Sequence, residues 1–195
     1  MTPADHDAVV FDLGGVLLDW SPTHLLSADD VEVLDIDGVQ RELDLGTPPE
    51  DVRARWRTAH PARTAIVDRY FDEWHRTVAG PVVDVVAILT ELRDSHVGLY
   101  ALSNFSGELF RQARPRFTFL DWFDGLVISG DEGMIKPDDR IYRVLIDRFG
   151  LTPSRTVFID DREDNVAGAR AAGLTGIHFR SAAGLRTELT RLGLL

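Results

Sequence analysis

Two short apolar segments of this chain each end at acidic residues, and this coincidence constrains the fold more than any other feature. Residues 8–11 (AVVF) lead into Asp12. Residues 156–159 (TVFI) lead into Asp160 and Asp161. Both segments have the length and composition of buried strands. If they lie parallel in one sheet, the carboxylates meet at the edge where open α/β sheets bind ligands, and their mutual repulsion favours a hard cation such as Mg²⁺.

A hydroxyl and an ammonium group follow two further apolar runs. Ser103 comes directly after the run 97–102, and Lys136 comes after the run 126–129. A carboxylate nucleophile, a hard cation, a hydroxyl and a lysine are the groups that handle a phosphoryl group. The pattern therefore predicts a small phosphorylated molecule as the substrate.

The charge of the chain bears on its partners. It has 21 Lys and Arg against 32 Asp and Glu, a formal net charge of −11. Such a surface repels nucleic acid and anionic lipid, so we expect neither as a partner. The chain has no cysteine, which excludes thiolate catalysis. Because it also lacks a long apolar stretch and a signal-like N-terminus, we expect a cytoplasmic protein.

Apolar, β-branched runs alternate with segments of helical period over most of the chain. This alternation predicts an α/β fold with a doubly wound parallel sheet. The predicted strands are 8–11, 97–102, 126–129, 156–159 and 175–179. Of the 195 residues, 44% are hydrophobic, which is enough for one full core and a small subdomain.

The first connection in this pattern is far longer than the few residues that usually join two elements. It carries helical patterns of its own. We therefore predict a helical subdomain at 19–81, inserted into a core formed by 1–18 plus 82–195 and lying over the sheet edge as a lid. The acidic segment 29–50 has only weak helical patterning, and its conformation is left open.

Each candidate site residue, taken singly, also has a purely structural interpretation. Asp12 fits a turn before glycine, and Ser103 and Asn104 fit a helix N-cap. Lys136 fits a solvated surface lysine, and the pair 160–161 fits an acidic helix start. Their joint occurrence, in this order and at strand ends, favours the functional interpretation.

Four stretches of the sequence resemble the haloacid dehalogenase superfamily of hydrolases. They are 11–17 (FDLGGVL), 101–104 (ALSN), 129–137 (SGDEGMIKP) and 158–165 (FIDDREDN). The long insertion at 19–81 lies where that family has its C1-type helical cap. The resemblance implies a Rossmann-like core and Mg²⁺-dependent transfer through an aspartyl intermediate.

The resemblance also implies which residues bind the metal. Asp12 would be the nucleophile and a metal ligand, with the Gly14 carbonyl and Asp161 as the other protein ligands. Asp160 and Asn165 would support these ligands from the adjacent layer. Because the acidic residues crowd like charges, we expect at least one raised pKa among them in the absence of metal.

Three further residues are implied to hold the phosphoryl oxygens. They are Ser103, Asn104 and Lys136, of which Ser103 and Lys136 would also be catalytic. Lys136 would partly offset the acidic charge. We therefore expect Lys136→Ala to weaken phosphate binding and activity while leaving the fold intact.

One position departs from the commonest phosphatase pattern of the family. That pattern has Asp two residues after the nucleophile as general acid and base, and here the position is Gly14. A positioned acid or base contributes about 10²–10⁴ in rate. Slow turnover, an activated leaving group or a replacement acid from the insertion would each fit, and the candidates for that acid are His24, His60 and His75. The insertion's aromatic residues, Trp20, Trp56, Phe71 and Trp74, fit its hydrophobic core better than a pocket.

The function favoured by these observations is that of a Mg²⁺-dependent phosphatase, with sugar phosphates among its candidate substrates. Two alternatives remain open. A 2-haloacid dehalogenase-like hydrolase needs no proton for its halide leaving group, so Gly14 is no handicap there. A catalytically weak binding protein of the same fold would use the cap as a partner surface. A phospho-accepting receiver domain carries its acidic residues in the opposite order, which counts against it.

Overall fold

The computed structural model describes residues 6–95 and 97–195, and its main sheet consists of five strands. These strands are β1 (Ala8–Phe11), β4 (Gly98–Ser103), β5 (Gly125–Ile128), β6 (Thr156–Asp160) and β7 (Thr175–His178). Their order is β5-β4-β1-β6-β7, and every neighbouring pair is parallel. The predicted α/β class with a parallel sheet is therefore confirmed, and each strand lies within two residues of its predicted bounds.

Strand β1 occupies the centre of this sheet. Phe11 is in register with Ala101 of β4 on one side and with Ile159 of β6 on the other. All four residues of β1 are buried, which explains why its sequence is uniformly apolar rather than alternating. The register places the residues that follow β1, β4 and β6 at one edge of the sheet.

Helices flank the sheet and connect its strands. They are α5 (Val83–Asp94), α6 (Gly107–Ala113), α7 (Ser129–Glu132), α8 (Asp139–Phe149), α9 (Glu163–Ala171) and α10 (Ala182–Arg191). Short 3-10 helices cover Arg114–Arg116, Thr118–Trp122 and Pro153–Arg155. Helix α8 ends at Gly150 in the left-handed conformation, as the sequence indicated. Within the described parts of the chain, no helix is both long and apolar enough to cross a membrane.

A second, two-stranded sheet begins and ends a long helical excursion from the core. Strand β2 (Leu18–Trp20) pairs antiparallel with β3 (Val78–Pro81), and the sequence analysis predicted neither strand. We call the residues between these two strands the insertion. Its helices are α1 (Ala28–Val33), α2 (Ile36–Asp44), α3 (Pro49–Ala59) and α4 (Thr64–Asp72), with 3-10 helices at Pro22–His24, Pro61–Arg63 and Trp74–Thr77.

The insertion has an apolar centre built on aromatic rings. Trp56 meets Tyr70 and Phe71 edge to face, with ring centroids 6.0 and 6.2 Å apart. Ile36 and Leu43 of α2 are buried within the same hydrophobic cluster. Trp56 and Phe71 thus belong to the core of the insertion, as expected. The weakly patterned segment 29–50 is helical over most of its length, because packing rather than local sequence stabilises it.

Candidate active site

The sheet brings the predicted nucleophile and its acidic neighbours to one edge. Asp12 follows β1, and its backbone N–H continues the pairing by donating to the Ile159 carbonyl at 2.9 Å. Asp160 is the last residue of β6 and is fully buried. Asp12 is 7% exposed, so it is accessible from one direction only. The turn interpretation of Asp12 therefore accounts for its backbone but not for its burial among charged groups.

Lys136 lies at the centre of this acidic group rather than in solvent. Only 2% of the residue is exposed. Its ammonium nitrogen Nζ is 2.6 Å from Asp160 Oδ2, 3.0 Å from Asp12 Oδ1 and 2.8 Å from the Leu102 carbonyl oxygen. These three partners match the three N–H groups of an ammonium ion. Burial acts to lower the pKa of Lys136, but Asp12 and Asp160 outweigh it and hold that pKa above its usual value.

The side chain of Asn104 holds the backbone of Lys136. Asn104 Oδ1 accepts from the Lys136 N–H at 2.8 Å, and Asn104 Nδ2 donates to the Lys136 carbonyl at 3.1 Å. Ser103 is the buried last residue of β4, and the N-cap of α6 is Ser106. Neither Ser103 nor Asn104 is thus the helix cap. Their assignment to phosphoryl oxygens stays a prediction.

The carboxylate of Asp160 has hydrogen-bond donors and a positive charge supplied by the protein itself. Asn165 Nδ2 lies 3.0 and 3.1 Å from its two oxygens, and the Arg162 N–H donates to Oδ1 at 2.8 Å. With Lys136 at Oδ2, both carboxylate oxygens have donors. Asp160 thus holds Lys136 and is itself held by Asn165, and the supporting role that the family resemblance implied for these two residues stays a prediction.

Asp161 faces the solvent side of the same edge, next to the glycine turn after Asp12. Gly15 has φ +74°, and a Cβ there would lie 2.5 Å from Asp161 Oδ2. Only glycine combines this positive φ with so close an approach to a carboxylate. The turn therefore brings the backbone of Gly14 and Gly15 beside Asp161.

Three carboxylates converge at this point. Asp12, Asp160 and Asp161 each offer one oxygen, and these oxygens lie within 4.8 Å of one another. The expectation that Asp12 and Asp161 are close enough to share one ion is therefore confirmed. All are hard oxygen donors of the kind that Mg²⁺ prefers. With one lysine against three carboxylates, the group has an excess of negative charge that a divalent cation would balance.

The pKa values of two of these acids are raised, as expected for crowded carboxylates. Burial raises the pKa of Asp12 to about 7, with a contribution from Asp160 and against the attraction of Lys136. Partial burial and Asp160 also raise the pKa of Asp161. Both shifts arise in the absence of a metal ion, and both indicate a site that favours an added positive charge.

A cleft of about 720 Å³ opens above these acids. Its lining comprises Asp12, Gly14, Gly15, Trp20, Asp37, Gly38, Gln40, Arg41, Asp44, Trp74, Asn104, Phe105, Ile135, Lys136, Pro137, Asp161, Arg162, Asp164 and Asn165. Trp74 is buried in the hydrophobic cluster and Trp20 packs against it, as expected, but both also line the cleft. Its lining combines carboxylates with the aromatic rings of Trp20, Trp74 and Phe105, so it suits a charged group attached to an organic part.

The three histidines proposed as replacement acids do not line this cleft in the described part of the chain. His24 pairs with Asp19 through Nε2 at 3.0 Å, His60 packs against Trp56, and His75 is exposed. The hypothesis of a cap histidine over Asp12 is therefore wrong. The side chains that the insertion places in the cleft come mainly from α2.

Asp44, the last residue of α2, is the site residue that the sequence reasoning missed. It lines the cleft, is 8% exposed, and accepts from Gln40 Nε2 at 3.1 Å. Burial raises its pKa to about 7, against the Gln40 hydrogen bond and the attraction of Lys136. A usable signal was present, since Asp44 falls on the buried face of α2 with Ile36, Val39 and Leu43. A carboxyl on an apolar helix face requires a reason for its burial.

Comparison with known proteins gives one family and several relatives. A family model described as haloacid dehalogenase-like hydrolase matches residues 6–173. The chain is 27% identical over 188 residues to the sesquiterpene phosphatase astK of Aspergillus oryzae, covering 95% of each protein. It is 26% identical over 191 residues to (S)-2-haloacid dehalogenase 4A of Burkholderia cepacia, covering 88% of this chain and 82% of the relative.

Among solved structures, the chain resembles the magnesium complex of a HAD family enzyme from Bacteroides thetaiotaomicron. The TM-score is 0.75 at 23% identity, over 96% of this chain and 99% of that one. At this identity the likeness concerns the fold.

Proposed function

The chain belongs to the haloacid dehalogenase-like hydrolases, and we propose that it is a Mg²⁺-dependent phosphatase acting on a small phosphorylated metabolite. Sugar phosphates are among the candidate substrates. The observation that carries the proposal is the convergence of Asp12, Asp160 and Asp161 within 4.8 Å of one another, with Lys136 paired to the first two. A phosphatase relative along nearly the whole length supports it. We further propose that 1–18 plus 82–195 form the catalytic core and 19–81 the cap.

Asp12 is the residue that would attack phosphorus. Its Oδ1 accepts from the Leu13 N–H at 2.7 Å and contacts Lys136, so the carboxylate has a fixed orientation. Attack forms an aspartyl-phosphate, and water then hydrolyses it to release phosphate. Lys136, already charged and desolvated, would offset negative charge on the transferring group, with Ser103 and Asn104 beside it.

The metal site is proposed to consist of Asp12, the Gly14 carbonyl and Asp161. A bound Mg²⁺ would neutralise phosphoryl oxygens and leave ligand positions for water and substrate. Asp160 would stay with Lys136 and Asn165 and act through them. A relative of the same fold has been solved as a magnesium complex, which is consistent with this assignment.

A dehalogenase is the second candidate, and Gly14 is the observation that favours it. Displacement of halide from carbon requires an Asp nucleophile but no proton donor beside it. The similarity to (S)-2-haloacid dehalogenase 4A fits this alternative. The excess of carboxylates at the site favours the phosphatase, since a reaction without a cation leaves that charge unbalanced.

A release assay with defined variants tests the proposal. Purified protein is offered sugar phosphates, nucleotides and p-nitrophenyl phosphate with Mg²⁺ or with EDTA, and 2-haloacids in parallel. We expect phosphate release with Mg²⁺ only, and its loss in Asp12→Asn. Asp147→Asn is the control, because Asp147 is exposed on α8 and outside the cleft lining. Halide release without phosphate release would refute the phosphatase proposal in favour of the dehalogenase. Absence of both activities would favour the catalytically weak binding protein.

A further inference from the structure

A carboxyl group of the insertion lines the same cleft as the nucleophile. Asp44 is buried at the end of α2, and the cleft that it lines also contains Asp12 and Lys136. The attraction of Lys136 contributes to the pKa of Asp44, so the two groups are electrostatically coupled. The insertion therefore contributes an ionisable group to the cleft that the nucleophile lines.

The position of Asp44 is fixed by contacts with the core. The Ser129 hydroxyl donates to the Asp44 carbonyl at 2.7 Å and accepts from the Phe105 N–H at 2.9 Å. Two residues later, Gly46 has φ +93°, and a Cβ there would lie 2.5 Å from the Gly130 carbonyl oxygen. The end of α2 thus rests on the loops after β4 and β5. Those loops also carry Asn104 and Lys136.

The surroundings of the Asp44 carboxyl suit a group that gains and loses a proton. Its one side-chain donor is the neutral amide of Gln40 among the contacts described, and Gln40 Oε1 in turn accepts from the Tyr70 hydroxyl at 2.8 Å. The Tyr70 contact fixes which end of the amide faces Asp44. With a pKa near 7, the carboxyl exists in both protonation states close to neutral pH. General acids work best when the pKa lies near the operating pH.

We propose that Asp44 is the general acid and base of this enzyme, replacing the carboxyl that Gly14 lacks. The inference rests on the proposed phosphatase function and names the proton path within it. When Asp12 attacks phosphorus, the bond to the leaving oxygen breaks, and that oxygen takes the proton of the Asp44 carboxyl. The resulting Asp44 carboxylate then takes a proton from the water that attacks the aspartyl-phosphate. Phosphate leaves, and Asp12 and Asp44 return to their starting states.

Most of the other charged groups around Asp44 form ion pairs of their own, and the rest line the cleft. From the core, Lys136 is held by Asp12 and Asp160. On α7, Asp131 pairs with Arg111 and Glu132 pairs with Arg148. On the insertion, Glu42 pairs with Arg55, and Tyr70 is bonded to Gln40. Asp37 and Arg41 line the cleft, two turns and one turn before Asp44 respectively. Asp37 is thus the matched carboxyl for a control.

Three phosphate esters of similar shape test the proton transfer. They are p-nitrophenyl, phenyl and benzyl phosphate, whose leaving groups are increasingly basic. The parameter is kcat/KM, which reports only the steps up to phosphoryl transfer to Asp12. Asp44→Asn is expected to lower kcat/KM for benzyl phosphate by about 10²–10⁴ and to leave p-nitrophenyl phosphate within a few-fold. Asp37→Asn should leave the ratio between the two substrates unchanged.

A measurement on the unaltered protein guards against misfolding of the variant. The ratio of kcat/KM for benzyl over p-nitrophenyl phosphate should fall as pH rises through about 7, because only the benzyl leaving group needs the protonated acid. Ionisation of Asp12 affects both substrates alike and cancels in the ratio. A ratio that does not change with pH overturns the assignment of Asp44 as the general acid. So does an equal loss of kcat/KM for all three esters in a folded Asp44→Asn variant. Neither result contradicts the proposed phosphatase function. Absence of all Mg²⁺-dependent hydrolysis in the wild type overturns both.

Discussion

The hydroxyl of Ser129 donates a hydrogen bond of 2.7 Å to the backbone carbonyl of Asp44, across 85 positions of the sequence. Ser129 is fully buried, and the same oxygen accepts from the Phe105 N–H. One hydroxyl therefore joins the insertion to two loops of the core. The link explains how a residue of the insertion can hold a defined position in the cleft that Asp12 also lines.

Replacing this hydroxyl should destabilise the protein measurably. Ser129→Ala leaves the Phe105 N–H and the Asp44 carbonyl without their partner, and a buried unsatisfied group costs about 1–3 kcal/mol. Urea denaturation should show a loss of that size in the free energy of unfolding. Ser154→Ala is the control, because Ser154 is exposed before β6. An unchanged midpoint for Ser129→Ala would mean that the contact contributes nothing.

Asp44→Asn should change how stability depends on pH. A carboxyl whose pKa rises on folding stabilises the fold fully below its unfolded value of 3.8, and this stabilisation is lost as pH rises to about 7. An amide has no such loss. The unfolding free energy of the variant, relative to wild type, should therefore increase by about 2–4 kcal/mol between pH 4 and pH 8. Parallel pH profiles for the two proteins would contradict the raised pKa.

Lys136 should be needed for folding as well as for activity. Lys136→Met leaves Asp12 and Asp160 buried without their cation, and breaking such a pair costs about 3–5 kcal/mol. The sequence alone led to the expectation that Lys136→Ala leaves the fold intact, and the burial of Lys136 between two carboxylates leads to the opposite expectation. Adding Asp160→Asn should recover part of the loss. Chemical denaturation of the three proteins measures it, and a fully stable Lys136→Met would refute the argument.

Magnesium should stabilise the wild type through Asp161. Saturation at a hundredfold excess over Kd contributes about 2.7 kcal/mol, or about 5–10 °C in Tm for a chain of this size. In Asp161→Asn this shift should shrink by at least half, while the metal-free variant melts no lower than wild type because a repulsion has been removed. Asp147→Asn should keep the full shift. If Mg²⁺ raises Tm equally in all three proteins, the cation does not bind at Asp161.

A carboxyl introduced at Gly14 should rescue the activity that is lost in Asp44→Asn. A Cβ at Gly14 would meet its nearest neighbour, Trp20 Cβ, at 3.8 Å, an ordinary contact distance. Gly14→Asp should therefore be accommodated and should supply a proton donor beside the nucleophile. In the Asp44→Asn background it should restore at least a tenth of the lost benzyl phosphate activity. If it restores nothing while p-nitrophenyl phosphate is still cleaved, the added carboxyl is misplaced.

The main sheet could be predicted from sequence because its strands are short, uniformly apolar and separated by periodic helices. Asp12, Asp160 and Asp161 could be predicted as well, because each lies at the end of such a strand and the sheet brings these ends together. Lys136 could be named from its motif, but its position also depends on the bonds between its backbone and Asn104. The grouping of the acidic residues follows from the apolar pattern of each strand and from the parallel pairing of neighbouring strands. No knowledge of the insertion was required.

The remaining features depend on contacts that local sequence does not record. Strand β2 is three residues long, and its partner strand β3 lies at the far end of the insertion. The apolar face of α2 marks Asp44 as buried, but it does not reveal that the end of this helix packs against Ser129 and Gly130 of the core. Histidine is the usual proton carrier near neutral pH, so the sequence favoured histidines as candidates for the missing acid. The raised pKa of Asp44 depends on burial, which the sequence does not state directly.

The pairing of β2 with β3 makes the insertion an exchangeable cassette. Leu18 is in register with Pro81, and the Val82 N–H donates to the Leu17 carbonyl at 2.9 Å, so the chain leaves and rejoins the core at the same point. One contiguous stretch of gene therefore encodes the cleft residues that the insertion contributes, among them Asp37, Gln40 and Asp44. Recombination at these two strands can redesign selectivity without touching the nucleophile, provided that the transplanted segment keeps a glycine where Gly46 meets Gly130.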